Sequence, residues 1–145
     1  MMRLSSQLSS KIQSLDYKNV IYLGHIGQCK DKGTLYKYGI SYKPHQRFKK
    51  HKQTFGTFDP IMVVEYDRNR QVEALFTKLM KHRNLLTTLH IDNKYYREIV
   101  APSQFDHMDA FKSPETLLMM HMEALIMADS VTNNNLFFNI HTRFE

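Results

Sequence analysis

Cysteine is nearly missing from this chain of 145 residues: Cys29 stands alone. One thiol cannot close an intrachain disulfide or build a cysteine-based zinc site, and it points to a reducing, intracellular compartment such as the cytoplasm or nucleus. Long apolar runs are missing too. None approaches the roughly 20 residues that span a bilayer, so no membrane partner is expected. The first residues, Met-Met-Arg-Leu-Ser-Ser-Gln-Leu-Ser-Ser-Lys-Ile, lack the continuous apolar stretch of a secretory signal. They are Ser-rich and acid-free until Asp16, as in an organellar import peptide, but a single Arg is little for one. An amphipathic helix with Leu4, Leu8, Ile12 and Leu15 facing inward explains them better. Glycine is scarce, with 5 in the chain, and Gly24 and Gly27 are too isolated to form a phosphate-cradling loop. The 8 histidines show no metal-ligand spacing. Acid is absent from residues 43–52, which hold Lys43, Arg47, Lys49, Lys50 and Lys52.

That last absence leads to what is present. The net charge of +6 suits a polyanionic partner, and its concentration in one decapeptide says where such a partner would be met. The length suits one domain, 1–145, with a real core. Asn19–Ile26 and Thr34–Ser41 read as a hairpin of β-branched and aromatic strands around the polar turn 27–33. Pro44 opens a basic helix that ends near Gly56, and Ile61–Tyr66 reads as a third strand. A helix capped by Asn69 is predicted over about 70–87, from Val72, Leu75, Phe76, Leu79 and Met80 on one stripe. Tyr95–Val100 reads as a short strand or an extended segment. Ser113-Pro114 starts a last helix, with Leu117, Leu118, Met119, Met120, Met122, Leu125, Ile126 and Met127 set almost all round it, and an apolar tail, Leu136–Ile140, follows. A helix so apolar must be covered on more than one side. The covering body is either the chain itself, as a clasp with the N-terminal helix, or a partner on the Met-rich helix 114–129, such as a second copy or another protein.

Strand alternation places Lys37 and Gly39 on one face, Tyr36 and Tyr38 on the other. Arg47 and His51 share a face of the basic helix. Glu73 lies on the shoulder of the second long helix. Each of these, taken by itself, reads equally as a solvated or packed side chain. Tyr42 and Phe48 interleave with the lysines, Phe48 as the inward anchor of the helix.

In order and spacing, these residues resemble the GIY-YIG nuclease family, and in particular a divergent branch found in phages and large DNA viruses beside Bro- and KilA-type modules. The resemblance covers about 18–100, leaving 101–145 as a C-terminal helical extension. Val20-Ile21-Tyr22 stands where the family has Gly-Ile-Tyr, and Lys37-Tyr38-Gly39 where it has Tyr-Ile-Gly. Ser41 follows two residues later, and Arg47 and His51 fall eight and twelve after Gly39. Glu73 stands at the family's metal-binding carboxylate. The segment Tyr96-Arg97-Glu98-Ile99 resembles a closing motif of the viral branch. Two positions depart from the pattern: Val20 replaces a glycine, and Lys37 replaces a tyrosine that lines the family's active site.

The resemblance implies an α+β fold: a small three-stranded antiparallel or mixed sheet flanked by helices, with extra helices at both ends. It implies an endonuclease that hydrolyses DNA phosphodiester bonds with Mg2+ or Mn2+. Tyr22 would orient or deprotonate the attacking water, Lys37 would assist it or act as base, Arg47 would contact the scissile phosphate and Glu73 would bind the metal. Lys43, Lys49, Lys50, Lys52 and His51 would contact the nucleic acid, DNA or RNA. The alternative is the same fold without chemistry, serving as a nucleic-acid-binding or structural subunit of a larger assembly.

Overall fold

The computed structural model describes residues 8, 10–102 and 112–143. Six strands form one antiparallel sheet: β1 (Val20–Cys29), β2 (Gly33–Ser41), β3 (Asp59–Tyr66), β4 (Leu86–Ile91), β5 (Lys94–Val100) and β6 (Phe138–Thr142), in the order β4-β5-β2-β1-β3-β6. Helices α1 (Pro44–Phe55), α2 (Asn69–His82) and α3 (Pro114–Thr132) join them, and residues 8 and 10–14 belong to a further helix near the N-terminus. The fold is α+β, but the expected three-stranded sheet is corrected to six strands.

The three extra strands arise from identifiable local chemistry. Helix α2 stops at His82, short of the expected residue 87, because Asn84 takes a left-handed conformation with φ 59°. The β-branched pair Thr87-Thr88 then continues as strand. Asp92 and Asn93, with φ of 49° and 65°, turn it back through the type of hairpin that two left-handed residues favour. At the other edge, Asn134 and Asn135, both at positive φ, turn the chain after α3 so that the apolar tail pairs with β3.

Alternation divides the buried side chains between the two faces of the sheet. Ile21, Leu23, Tyr36, Tyr38, Met62, Val64 and Val100 pack under α2 and α3, with Phe76, Met122 and Ile126. Val20, Tyr22, Leu35, Val63 and Ile99 pack under α1 and the N-terminal helix, with Phe48, Phe58, Leu8, Ile12 and Leu15. Leu4 lies outside the described residues. The last helix is therefore covered by α2 and the sheet, in a different core from the N-terminal helix. Its outer face keeps Met120, Met127 and Val131 exposed.

Three contacts fix the helices relative to the motif strands. Asn69, expected as a cap, instead starts α2 from a buried position, and its Nδ2 donates to the Val20 carbonyl at 2.9 Å. One helical turn later comes Glu73. Asp129 on α3 accepts hydrogen bonds from Tyr66 Oη at 2.5 Å and Arg68 Nε at 2.9 Å, which ties the β3–α2 corner to α3. Asp16 Oδ1 accepts from the His45 backbone N–H at 3.2 Å, satisfying a donor in the first turn of α1.

Candidate active site

Tyr22 of β1 and Gly39 of β2 are directly paired across the hairpin, and Gly24 faces Lys37. Tyr22 and Lys37 therefore rise from the same face of the sheet, two positions apart on adjacent strands. The tyrosine ring lies over Gly39 so closely that a Cβ there would sit 2.6 Å from Tyr22 Oη. This is why a glycine stands at position 39. Gly24 is bare for a similar reason, since a Cβ would meet the Phe58 ring at 2.3 Å. Phe48 and Phe58 flank Tyr22 edge-on, at ring separations of 4.9 and 5.9 Å.

Tyr22, Lys37, Arg47 and Glu73 line a single cleft of about 420 Å³. Each comes from a different element, β1, β2, α1 and α2. Asn69 and Glu98 also line it. Arg47 is exposed, and among the described residues no hydrogen bond or ion pair engages its guanidinium or the half-buried Glu73 carboxylate. A free cation and a free anion thus face one space.

His51, expected as a nucleic-acid contact, is buried, with its Nε2 2.6 Å from Tyr22 Oη. The imidazole tautomer decides which of the two atoms donates. Burial, reinforced by the charges of Lys37, Arg47 and Lys50, pulls the His51 pKa down to about 4, so the ring is neutral at physiological pH. Burial likewise pushes the Tyr22 hydroxyl well above its ordinary range, with Glu73 and Glu98 adding to the shift and Arg47 opposing it. The pair is therefore a neutral phenol against a neutral imidazole.

Lys37 is almost fully buried. Burial lowers its pKa, while the adjacent Glu98 carboxylate opposes that shift. Its Nζ donates to the Arg97 carbonyl at 2.8 Å and to Glu98 Oε2 at 3.0 Å. Two acceptors on one nitrogen suit an ammonium whose remaining N–H is available to the cleft. Glu98 reaches Lys37 from a bulge: between Thr87/Ile99 and Leu89/Tyr96 the register shifts, and Glu98 takes φ 55°. Sequence reading quoted Glu98 in a motif without giving it a role. Its importance depends on a left-handed residue inside a strand, which side-chain alternation does not announce.

The Glu73 carboxyl is raised from its ordinary pKa by burial first and then by the negative charge of Glu98. A carboxylate whose charge is disfavoured by burial and by a neighbouring carboxylate would be relieved by a cation beside it. Among the described residues no group of three or more His, Cys, Asp or Glu side chains is placed to hold a metal. A single carboxylate with water completing the shell, and a second carboxylate nearby, is an oxygen-donor setting that fits Mg2+ or Mn2+.

The basic residues of α1 separate in space. Lys43 and Lys50 line a second, acid-free groove of about 350 Å³ that shares Ser41, Tyr42 and Arg47 with the cleft. Lys49 and Lys52 line a different hollow, against Ile12, Phe48 and Phe58. Among the described residues no helix is long and apolar enough to cross a membrane. No protein-family model matches the chain, and no curated protein or solved structure matches it either.

Proposed function

We propose that the chain is a divalent-metal-dependent endonuclease of the GIY-YIG type that hydrolyses DNA phosphodiester bonds. One observation carries the reading: an unpaired guanidinium and an unpaired carboxylate from two helices share a cleft with Tyr22 and Lys37 of the hairpin. The Arg47 fork binds the non-bridging oxygens of the phosphate and steadies the charge that gathers there as water attacks. Lys37, held as an ammonium by Glu98 and the Arg97 carbonyl, adds a second donor, which makes it a charge stabiliser and not a base. Glu73, with Glu98 nearby, would hold the divalent cation. When bound, that cation supplies positive charge to the leaving oxygen.

Tyr22 has too high a pKa to be an anion beforehand, so it acts as a relay. Its O–H donates to neutral His51 Nε2, which leaves the oxygen lone pairs facing the cleft. As the attacking water bonds to phosphorus, its proton passes to Tyr22 Oη and the tyrosine proton passes to His51. The bond from phosphorus to the leaving oxygen breaks, that oxygen takes a proton from solvent, and His51 returns its added proton to solvent through Tyr22, which restores the neutral pair. Burial of His51 suits it to be neutral before each turnover.

Supercoiled plasmid with Mg2+ or Mn2+ tests this. Nicking by the unmodified protein, lost in Arg47→Ala and in Glu73→Ala, supports the nuclease. Salt-sensitive DNA binding with no nicking under any metal overturns it, and leaves a binding subunit built on the same cleft.

A further inference from the structure

The cleft does not end at Arg47. The acid-free groove continues it along α1 past Tyr42 toward Lys43 and Lys50, and at its rim stand two exposed aromatic rings. Tyr42 is 54% exposed and Tyr17 is 66% exposed. They meet edge to face, with ring centroids 5.9 Å apart, and Lys43 Nζ lies 5.6 Å from the centre of the Tyr17 ring. Neither ring belongs to a buried core.

Tyr17 is held there at a cost. Its backbone has φ 69°, a left-handed conformation that a bulky residue adopts only when its surroundings enforce it. The surroundings are visible. The Tyr17 N–H donates to the Tyr42 carbonyl at 2.7 Å, and the preceding Asp16 accepts from the first turn of α1 at 3.2 Å. The turn is pinned on both sides, and the ring it presents projects into solvent next to a basic groove.

On the reading of the cleft as a phosphodiester site, we propose that Tyr17, Tyr42, Lys43 and Lys50 form a subsite for a single nucleic-acid strand leaving the cleft. The lysines hold the phosphate flanking the scissile one, and the tyrosine rings stack an unpaired base. Exposed aromatic faces between cations are how sequence-tolerant single-strand sites are built, whereas a duplex offers its phosphates to the lysines but keeps its bases stacked on each other. The substrate is thus a strand with an unpaired nucleotide beside the cut, such as a flap, gap or overhang.

Binding measured in EDTA, where no metal-dependent cleavage runs, tests the subsite separately from the chemistry. The probes are a labelled single-stranded oligothymidylate and a blunt duplex of equal length, followed by fluorescence anisotropy. Tyr42→Ala, and Tyr17→Asn, whose side chain tolerates the left-handed backbone, should each weaken the single strand roughly tenfold, the loss of about one stacked base. The blunt duplex should change by less than about threefold, since its bases are not offered for stacking. Tyr42→Phe and Tyr17→Phe should bind the single strand as the unmodified protein does, which separates lost stacking from lost fold. Unchanged single-strand affinity in the Ala and Asn variants, equal losses on both probes, or no binding of either probe by the unmodified protein would each overturn the subsite. Plasmid nicking decides the nuclease reading independently. If nicking depends on Arg47 and Glu73 while the tyrosine variants bind normally, only the subsite falls. If nothing is nicked but the tyrosines still select single strands, the subsite stands and the nuclease reading falls.

Discussion

The two faces of the sheet are both filled mainly by aliphatic side chains and differ in where their polar groups lie. Under α2 and α3 the filling is largely aliphatic, with Ile21, Leu23, Met62, Val64, Met80, Met122 and Ile126, and its tyrosines turn their hydroxyls to Thr77, Glu115 and Asp129 at the margins. Under α1 and the N-terminal helix the filling is aliphatic too, with Phe48 and Phe58 set around Tyr22, but this face also holds a buried lysine, a buried histidine and a tyrosine bonded to that histidine. Polar groups in an interior are costly unless they are satisfied. The first face avoids the cost by keeping its polar atoms peripheral. The second accepts it beside the cleft, where burial raises the proton affinity of Tyr22 and lowers those of His51 and Lys37. Burial raises the proton affinities of the first face's tyrosines as well, but Tyr22, Lys37 and His51 are the shifted groups that line the open cleft.

Substitutions can break this contrast. The largest effects are expected at the unpaired charges. Arg47→Ala and Glu73→Ala should each reduce plasmid nicking by about 10³-fold, the scale of losing a transition-state contact, with melting temperature unchanged because neither residue supports packing. Truncating a ring in each core should then separate stability from activity. Phe76→Ala should cost about 4 kcal/mol in chemical denaturation and leave the rate per folded molecule intact. Phe48→Ala should cost about 3 kcal/mol and also lower that rate, because Phe48 supports the ring of Tyr22. Equal rates in the two variants would show that the core under α1 does not position the site.

Gly39→Ala is more local. The added methyl must displace Tyr22 from His51, so nicking should fall roughly 100-fold for a stability loss of about 1–3 kcal/mol. Two pH experiments probe the buried charges. Folded His51 takes a proton only near pH 4, whereas in the unfolded chain it does so near 6.5. Between those values the unfolded state binds the proton more readily, so the stability present above pH 6.5 drains away as pH falls toward 4. Urea denaturation of His51→Gln should lack that share of the loss, roughly 2 kcal/mol after allowance for screening. Glu98 raises the proton affinity of Lys37, so Glu98→Gln should move the alkaline limb of the nicking profile to lower pH. An unmoved limb would mean that Lys37 does not act as an ammonium.

The smallest effect sharpens the placement of the basic helix. Lys43→Ala with Lys50→Ala should reduce the slope of log affinity against log salt by about two on DNA, more than Lys49→Ala with Lys52→Ala does, since only the first pair lies along the groove joined to the cleft.

Much of this was legible beforehand, and the pattern of what was not is informative. The hairpin, the basic helix and β3 announced themselves through alternation, a proline start and a β-branched run. Side-chain period is a local property of the chain, so it survives being read one segment at a time. Strands β4 and β6 escaped because each follows a helix so closely that its apolar residues read as that helix's continuation or tail. Only the left-handed asparagines at 84, 134 and 135 mark the breaks. Among the site residues, Arg47 and Glu73 were named through the family resemblance, but the reach of Glu98 was not, since it depends on a bulge. His51 was named for the wrong surroundings: it lies against a tyrosine 29 positions away, and not in solvent.

Composition and spacing alone determined the basic decapeptide and the faces on which Lys37, Arg47 and His51 would stand. The backbone's fixed periods carry that information from one residue to the next. Only the folded chain decided that four elements meet in one cleft, that His51 is neutral and Lys37 is paired with Glu98, and that Tyr17 stands beside Tyr42. Burial and Coulomb interactions act through space between residues distant in sequence, so no segment read by itself contains them.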